Sequence, residues 1–101
     1  MKKLQVIWTD ESMGDLEVIY DFIAEKSRKS AKNVVQSILA KTRQLETFPE
    51  SGSPHEANIS IVGSYRFLVQ GNYKIIYSIE GDALYVEAVV DTRQDPASLR
   101  F

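Results

Sequence analysis

Residues 65–90 read YRFLVQGNYKIIYSIEGDALYVEAVV, and this stretch decides the fold. Tyr65 to Val69, Tyr73 to Ile79 and Leu84 to Val90 are runs rich in aromatic and β-branched residues, the composition of strands. Gln70-Gly71-Asn72 separates the first pair and Glu80-Gly81-Asp82 the second. Both read as tight turns, built from residues that accept positive φ. Three strands joined by such short turns form an antiparallel meander.

Towards the N-terminus the period changes. Leu4 to Trp8 is short, apolar and partly β-branched, a first strand. Thr9 or Asp10 then caps a helix whose first turn carries Asp10 and Glu11, where the helix dipole favours acids. Met13, Leu16, Ile19, Tyr20 and Ile23 recur at steps of three and four, one face of a helix running to about Glu25. Ser27 or Ser30 caps a second helix with Ala31, Val34, Val35, Ile38, Leu39, Thr42 and Leu45 on one face. Phe48-Pro49 ends it, because proline cannot continue the hydrogen-bond ladder. Two helices joined at Lys26 to Ser30 form an antiparallel hairpin. Pro49 to Gly63, rich in Ser, Gly and Pro, reads as a long loop; His55 lies in it and receives no role.

The predicted class is therefore α+β, in the order β-α-α-β-β-β. An antiparallel sheet carries a two-helix hairpin packed on one face, since both apolar stripes need burial. Leu16, Ile19, Ile23, Val34, Ile38, Leu45, Ile75 and Val86 are the expected core. The chain of 101 residues makes one domain, 1–101, long enough to bury about two-thirds of its unfolded surface.

Composition narrows the chemistry. Apolar residues are 44% and charged residues 26%, which excludes a disordered chain. Cysteine is absent, so disulfides, thiolate metal sites and thiol nucleophiles are excluded. With one histidine, a histidine metal cluster or a His-based triad within one chain is excluded too. Neither a signal peptide nor a membrane span is expected: the apolar start meets Asp10 and Glu11 at once, and no uncharged window approaches the roughly 20 residues a span needs. The expected compartment is the cytoplasm. The net charge of −2 argues against a general nucleic-acid binder, which is usually strongly basic. The charges are segregated, though. Asp10, Glu11, Asp15, Glu17, Asp21 and Glu25 form an acidic block, followed by the basic block Lys26, Arg28, Lys29, Lys32, Lys41 and Arg43. These read either as solvated outer faces with some helix-to-helix pairing or as a basic helix facing an acidic partner.

Candidate site residues sit at strand ends. Asp91-Thr92-Arg93-Gln94-Asp95-Pro96 follows the last strand, where polar groups are exposed yet held by a rigid scaffold. Arg66 lies mid-strand, on the face opposite Tyr65 and Phe67. It either pairs with Glu87 or Asp91 across the sheet or binds a ligand, and Lys74 is a candidate for the same face. No paired-carboxylate site, phosphate loop, cofactor motif or metal motif appears. Arg66 and Arg93 can supply cations for a phosphate, but no general acid–base pair accompanies them.

Together these residues resemble the RelE/ParE superfamily of toxins from bacterial type II toxin–antitoxin modules. The likeness rests on Val6-Ile7-Trp8-Thr9, on Asp15-Leu16 with Ile19-Tyr20-Asp21-Phe22-Ile23-Ala24, and on Leu45, Phe48-Pro49 and Gly52. It continues through Tyr65-Arg66, Leu68-Val69, Gly71-Asn72-Tyr73-Lys74-Ile75-Ile76-Tyr77 and Arg93-Gln94-Asp95-Pro96. It covers nearly the whole chain and implies the same β-α-α-β-β-β fold. It also implies a cognate antitoxin, ParD-like or RelB-like, whose C-terminal segment wraps the toxin with a helix and an added strand. Tyr20 and other aromatic side chains near the helix hairpin are candidate anchors for it.

The superfamily divides by target: the RelE branch cuts mRNA in the ribosome, whereas the ParE branch inhibits DNA gyrase. RelE-like members carry arginines matching Arg66 and Arg93 and usually a Tyr or His in the tail. Here the tail after Arg93 has neither, and Pro49 to Ser64 holds no Lys or Arg. The run from Gly71 to Tyr77 and the acidic net charge look more like the ParE branch. The resemblance thus implies a non-enzymatic gyrase inhibitor, with Arg66, Arg93, Gln94, Asp95 and Pro96 as target-binding residues. A metal-independent, RelE-like endoribonuclease using Arg66 and Arg93 is the alternative, and a member that binds antitoxin but poisons nothing is a third.

Overall fold

The computed structural model describes residues 3–55 and 65–93. Strand β1 (Gln5–Trp8) runs directly into helix α1 (Asp10–Ala24) through Thr9. The Thr9 hydroxyl oxygen accepts the Ser12 N–H at 3.1 Å as the N-cap. Its own proton goes to the Val86 carbonyl at 3.0 Å, so one side chain starts the helix and ties it to the sheet. Ser27 caps helix α2 (Arg28–Thr47) by accepting from the Ser30 N–H. Phe48 is its C-cap and Pro49 follows.

Three further strands are those expected: β3 (Tyr65–Gln70), β4 (Tyr73–Glu80) and β5 (Ala83–Asp91), with β2 (Ser53–His55) preceding them. Gly71 and Gly81 open the two hairpin turns at φ 61° and 59°, where a Cβ is strained. The five strands lie in the order β1-β5-β4-β3-β2.

The α+β class and the helix hairpin on the sheet stand as expected, and two details differ. The sheet is mixed rather than wholly antiparallel. The two-helix crossover returns the chain at the far edge of the sheet, and β1 pairs parallel to β5, Gln5 beside Ala83 and Trp8 beside Val86. Secondly, the long loop contains β2, antiparallel to β3. Pro54 in the middle of β2 has no N–H to give, which suits an edge strand only. One bulge also interrupts β4–β5: Ile76 faces Ala88 but Tyr77 faces Val86, leaving Glu87 as the extra residue.

The core lies between the hairpin and one face of the sheet. Leu16, Ile19, Ile38, Leu45, Ile75 and Val86 are buried there as expected, while Ile23 and Val34 are partly buried and pack against it. The expected faces were slightly misaimed. Met13 is 52% exposed and Tyr20 36% exposed, and the buried stripe of α1 is Ser12, Leu16 and Ile19. Met13 and Tyr20 sit roughly 60–100° round the helix from that stripe's centre, at 100° per residue. Ser12 is tolerated inside because its hydroxyl donates to the Thr9 carbonyl at 2.9 Å. Among the described residues no helix is long and apolar enough to cross a membrane.

Candidate functional site

Arg66 sits in β3 opposite Tyr77 of β4. Its Nη1 donates to the Gly52 carbonyl at 2.9 Å and to the Glu50 carbonyl at 3.4 Å. The fully buried Tyr77 phenol works on the same turn, donating to the Pro49 carbonyl at 2.7 Å and accepting the Gly52 N–H at 3.0 Å. Burial pushes this phenol above its ordinary pKa, against the opposing influence of the Gly52 N–H and Arg66, so it keeps the proton it donates. Two side chains from the sheet therefore pin Pro49 to Gly52, the turn that delivers β2. The ion pair with Glu87 or Asp91 offered for Arg66 does not form. Glu87 accepts the Ser78 hydroxyl at 2.8 Å, and Asp91 is taken by Arg93.

Tyr77→Phe removes both phenol bonds while keeping the ring. It should lower stability by about 1–3 kcal/mol, because a buried N–H is left without a partner. Urea denaturation checks this; an unchanged midpoint would mean that the turn is held without the phenol.

Arg93 sits beyond the end of β5 and is exposed. The Asp91 carboxylate takes its Nε at 2.9 Å, its Nη2 at 2.8 Å and its backbone N–H at 2.9 Å. Thr92, between them, donates both its N–H and its hydroxyl to the Asn72 carbonyl, at 2.8 and 2.9 Å. The Arg93 guanidinium holds the Asp91 carboxyl below its ordinary pKa, with burial opposing, so the carboxylate is charged at neutral pH.

The register keeps the two arginines apart. Arg66 faces Tyr77 and Asp91 faces Tyr73, positions four residues, or about 13 Å, apart along β4. Lys74 does not join Arg66 either. It pairs with Val69, on the opposite face, and its Nζ lies 4.4 Å from the centre of the Phe67 ring. Gln94, Asp95 and Pro96 lie outside the described residues.

The surface carries two recesses, one of them beside Arg66. One, of about 210 Å³, is bordered by Glu50, Arg66, Tyr77, Ser78 and Ile79. The other, of about 200 Å³, lies between β1 and α2, lined by Val6, Trp8, Leu39, Thr42, Arg43 and Glu46. Gln5 and Thr9 turn their N–H groups to β5 and Leu4 bonds the Glu46 carbonyl, so alternation turns the peptide groups of Val6 and Trp8 to the open edge. This groove was missed from sequence, where Val6 and Trp8 read only as strand residues.

Comparison with known proteins agrees with this architecture. A family model described as the ParE toxin of the type II toxin-antitoxin system, parDE, matches residues 6–96. Among solved structures, the chromosomal ParDE TA system from P. aeruginosa superposes with a TM-score of 0.71 at 19% identity, covering 90% of this chain and 98% of that one. At that identity the likeness speaks for the fold. The YoeB dimer from Staphylococcus aureus gives a TM-score of 0.43 at 13% identity, covering 85% of this chain and 93% of that one, too loose a superposition to bear on it. No curated protein sequence matches. With a match across residues 6–96 and the expected helix hairpin on its sheet, the chain belongs to the ParE toxin family of type II toxin–antitoxin systems, and its partner is a cognate antitoxin.

Proposed function

We propose that this toxin acts in the cytoplasm as a single domain, inhibiting DNA gyrase by binding rather than by chemistry. The observation that carries this reading is the separation of Arg66 from Arg93. Cleaving RNA needs cations converging on one phosphate beside an acid and a base. Here one arginine holds backbone carbonyls and the other is gripped by a carboxylate about 13 Å further along the sheet. We assign the target contact to Arg93, together with Gln94, Asp95 and Pro96, and give Arg66 the role of holding the turn before β2. The antitoxin in this reading is ParD-like, and its extended segment joins the open edge of β1 beside the groove between β1 and α2.

The test is supercoiling by purified gyrase in the presence of purified toxin. Inhibition should weaken tenfold or more in Arg93→Ala, since interface arginines commonly contribute about 2 kcal/mol and 1.4 kcal/mol is tenfold. The thermal midpoint should not move, because the side chain is exposed. Codon-positioned mRNA cleavage on programmed ribosomes, abolished by Arg66→Ala, would overturn the proposal in favour of a ribonuclease.

A further inference from the structure

Asp91 and Arg93 share more hydrogen bonds than an exposed ion pair requires. Asp91 is the last residue of β5, fixed opposite Tyr73, so its backbone is set by the sheet. Its carboxylate accepts three bonds from a single residue, one from the backbone and two from the guanidinium. Thr92 is clipped to the Asn72 carbonyl by two more. Three consecutive residues are thus given a defined conformation where a strand end normally frays.

Arginine carries five N–H donors in a planar fork. Asp91 takes the edge formed by Nε and Nη2. On the half-exposed side chain the other edge, one N–H from each of Nη1 and Nη2, has no acceptor among the described residues. Two parallel donors at that spacing match the two oxygens of a carboxylate.

We propose that Asp91 is a positioning residue: it holds the Arg93 guanidinium side-on so that its free edge meets a carboxylate on the target protein. The proposal rests on the reading that Arg93 contacts the target. An unheld arginine must give up several rotatable bonds on docking, and the carboxylate removes that freedom beforehand. The pair contributes little to the fold itself, since the Arg93 side chain is 58% exposed. Because Asp91 balances the charge, recognition depends on short-range geometry rather than on long-range attraction, which suits a chain of net charge −2.

A double-mutant cycle in the supercoiling assay tests this, with the Arg93 Nε–H resonance of the free toxin as a second readout. Asp91→Asn should weaken inhibition about three- to tenfold at an unchanged thermal midpoint and broaden that resonance by solvent exchange. In an Arg93→Ala background the same substitution should change inhibition less than twofold. An equal loss in both backgrounds would mean that Asp91 acts independently of Arg93. Stronger inhibition by Asp91→Asn would mean that the carboxylate masks the arginine, and full inhibition with a broadened resonance would mean that holding it is irrelevant; each overturns the proposal. If Arg93→Ala inhibits as well as the native chain, the target reading itself fails, and a sharp Nε–H resonance then leaves Asp91 as a fastening of the strand end alone.

Discussion

Gly52→Ala is expected to lower stability by roughly 3–5 kcal/mol, although it adds a single methyl group. A Cβ at this position would stand 2.5 Å from the Tyr77 hydroxyl oxygen, 2.7 Å from the Phe67 carbonyl and 2.8 Å from Cε1 of the Tyr77 ring. None of these neighbours can give way cheaply. The Tyr77 ring is fully buried, its hydroxyl is bonded on both sides, and the Phe67 carbonyl belongs to β3. The turn must therefore retreat, breaking the bond from the Gly52 N–H to the phenol and opening the site to water. For a domain near 100 residues, each kcal/mol moves the midpoint by about 4–8 °C, so a fall of more than about 12 °C is expected. Tyr77→Phe removes the nearest of the three obstacles. In that background Gly52→Ala should be less damaging, because residues in contact couple. The same loss in both backgrounds would assign the conflict to the β3 carbonyl and ring instead of the phenol.

Ile38→Ala should lower stability by about 2–5 kcal/mol through lost burial and the cavity left behind. Ile38 lies in the middle of α2 with no exposed surface, inside the cluster that includes Leu16, Ile75 and Tyr77. Both helices and the sheet wall this position, so relaxation from any one side is limited and the upper half of the range is favoured. Urea unfolding of the variant beside Met13→Ala makes the comparison internal, because Met13 is 52% exposed and its truncation should change stability by less than about 0.5 kcal/mol. If the two variants unfold together, the buried face of α2 is misassigned.

Much of this fold can be read from local patterns. Spacings of three and four gave both helices, Thr9 and Ser27 carry oxygen side chains suited to caps, and Gly71 and Gly81 mark the two hairpins. What was not legible depends on distant parts of the chain. Nothing in Leu4 to Trp8 states which edge of the sheet the strand will join, or in which direction. Ser53–His55 is a strand with a proline at its centre, and it earns that state from the neighbouring β3, not from its own preferences. The bulge at Glu87 leaves the alternation of β5 readable only to Val86.

The site divides in the same way. Arg66 was visible as an arginine in an apolar strand, but its partners are carbonyls 14 and 16 residues upstream, and a carbonyl carries no residue identity to search for. Asp91 and Arg93 stand two apart, close enough to be read as a pair. Their place in one polar cluster after the last strand is legible, but not that the carboxylate and the guanidinium turn to each other.

The parallel pairing of β1 with β5 has a consequence for time as well as shape. Thr9 and Val86, which bond where these strands meet, are 77 residues apart in sequence. Closing a loop of that length opposes folding by roughly 4 kcal/mol of chain entropy beyond a fixed constant, whereas the meander turns need only neighbouring residues. The meander and the helix hairpin are therefore expected to form first, with β1 docking late. Contacts made late govern how fast a protein comes apart more than how fast it assembles. A nascent chain that has not yet reached Val86 has no ladder for its first strand, so the sheet closes at that edge only after Val86 has been synthesised.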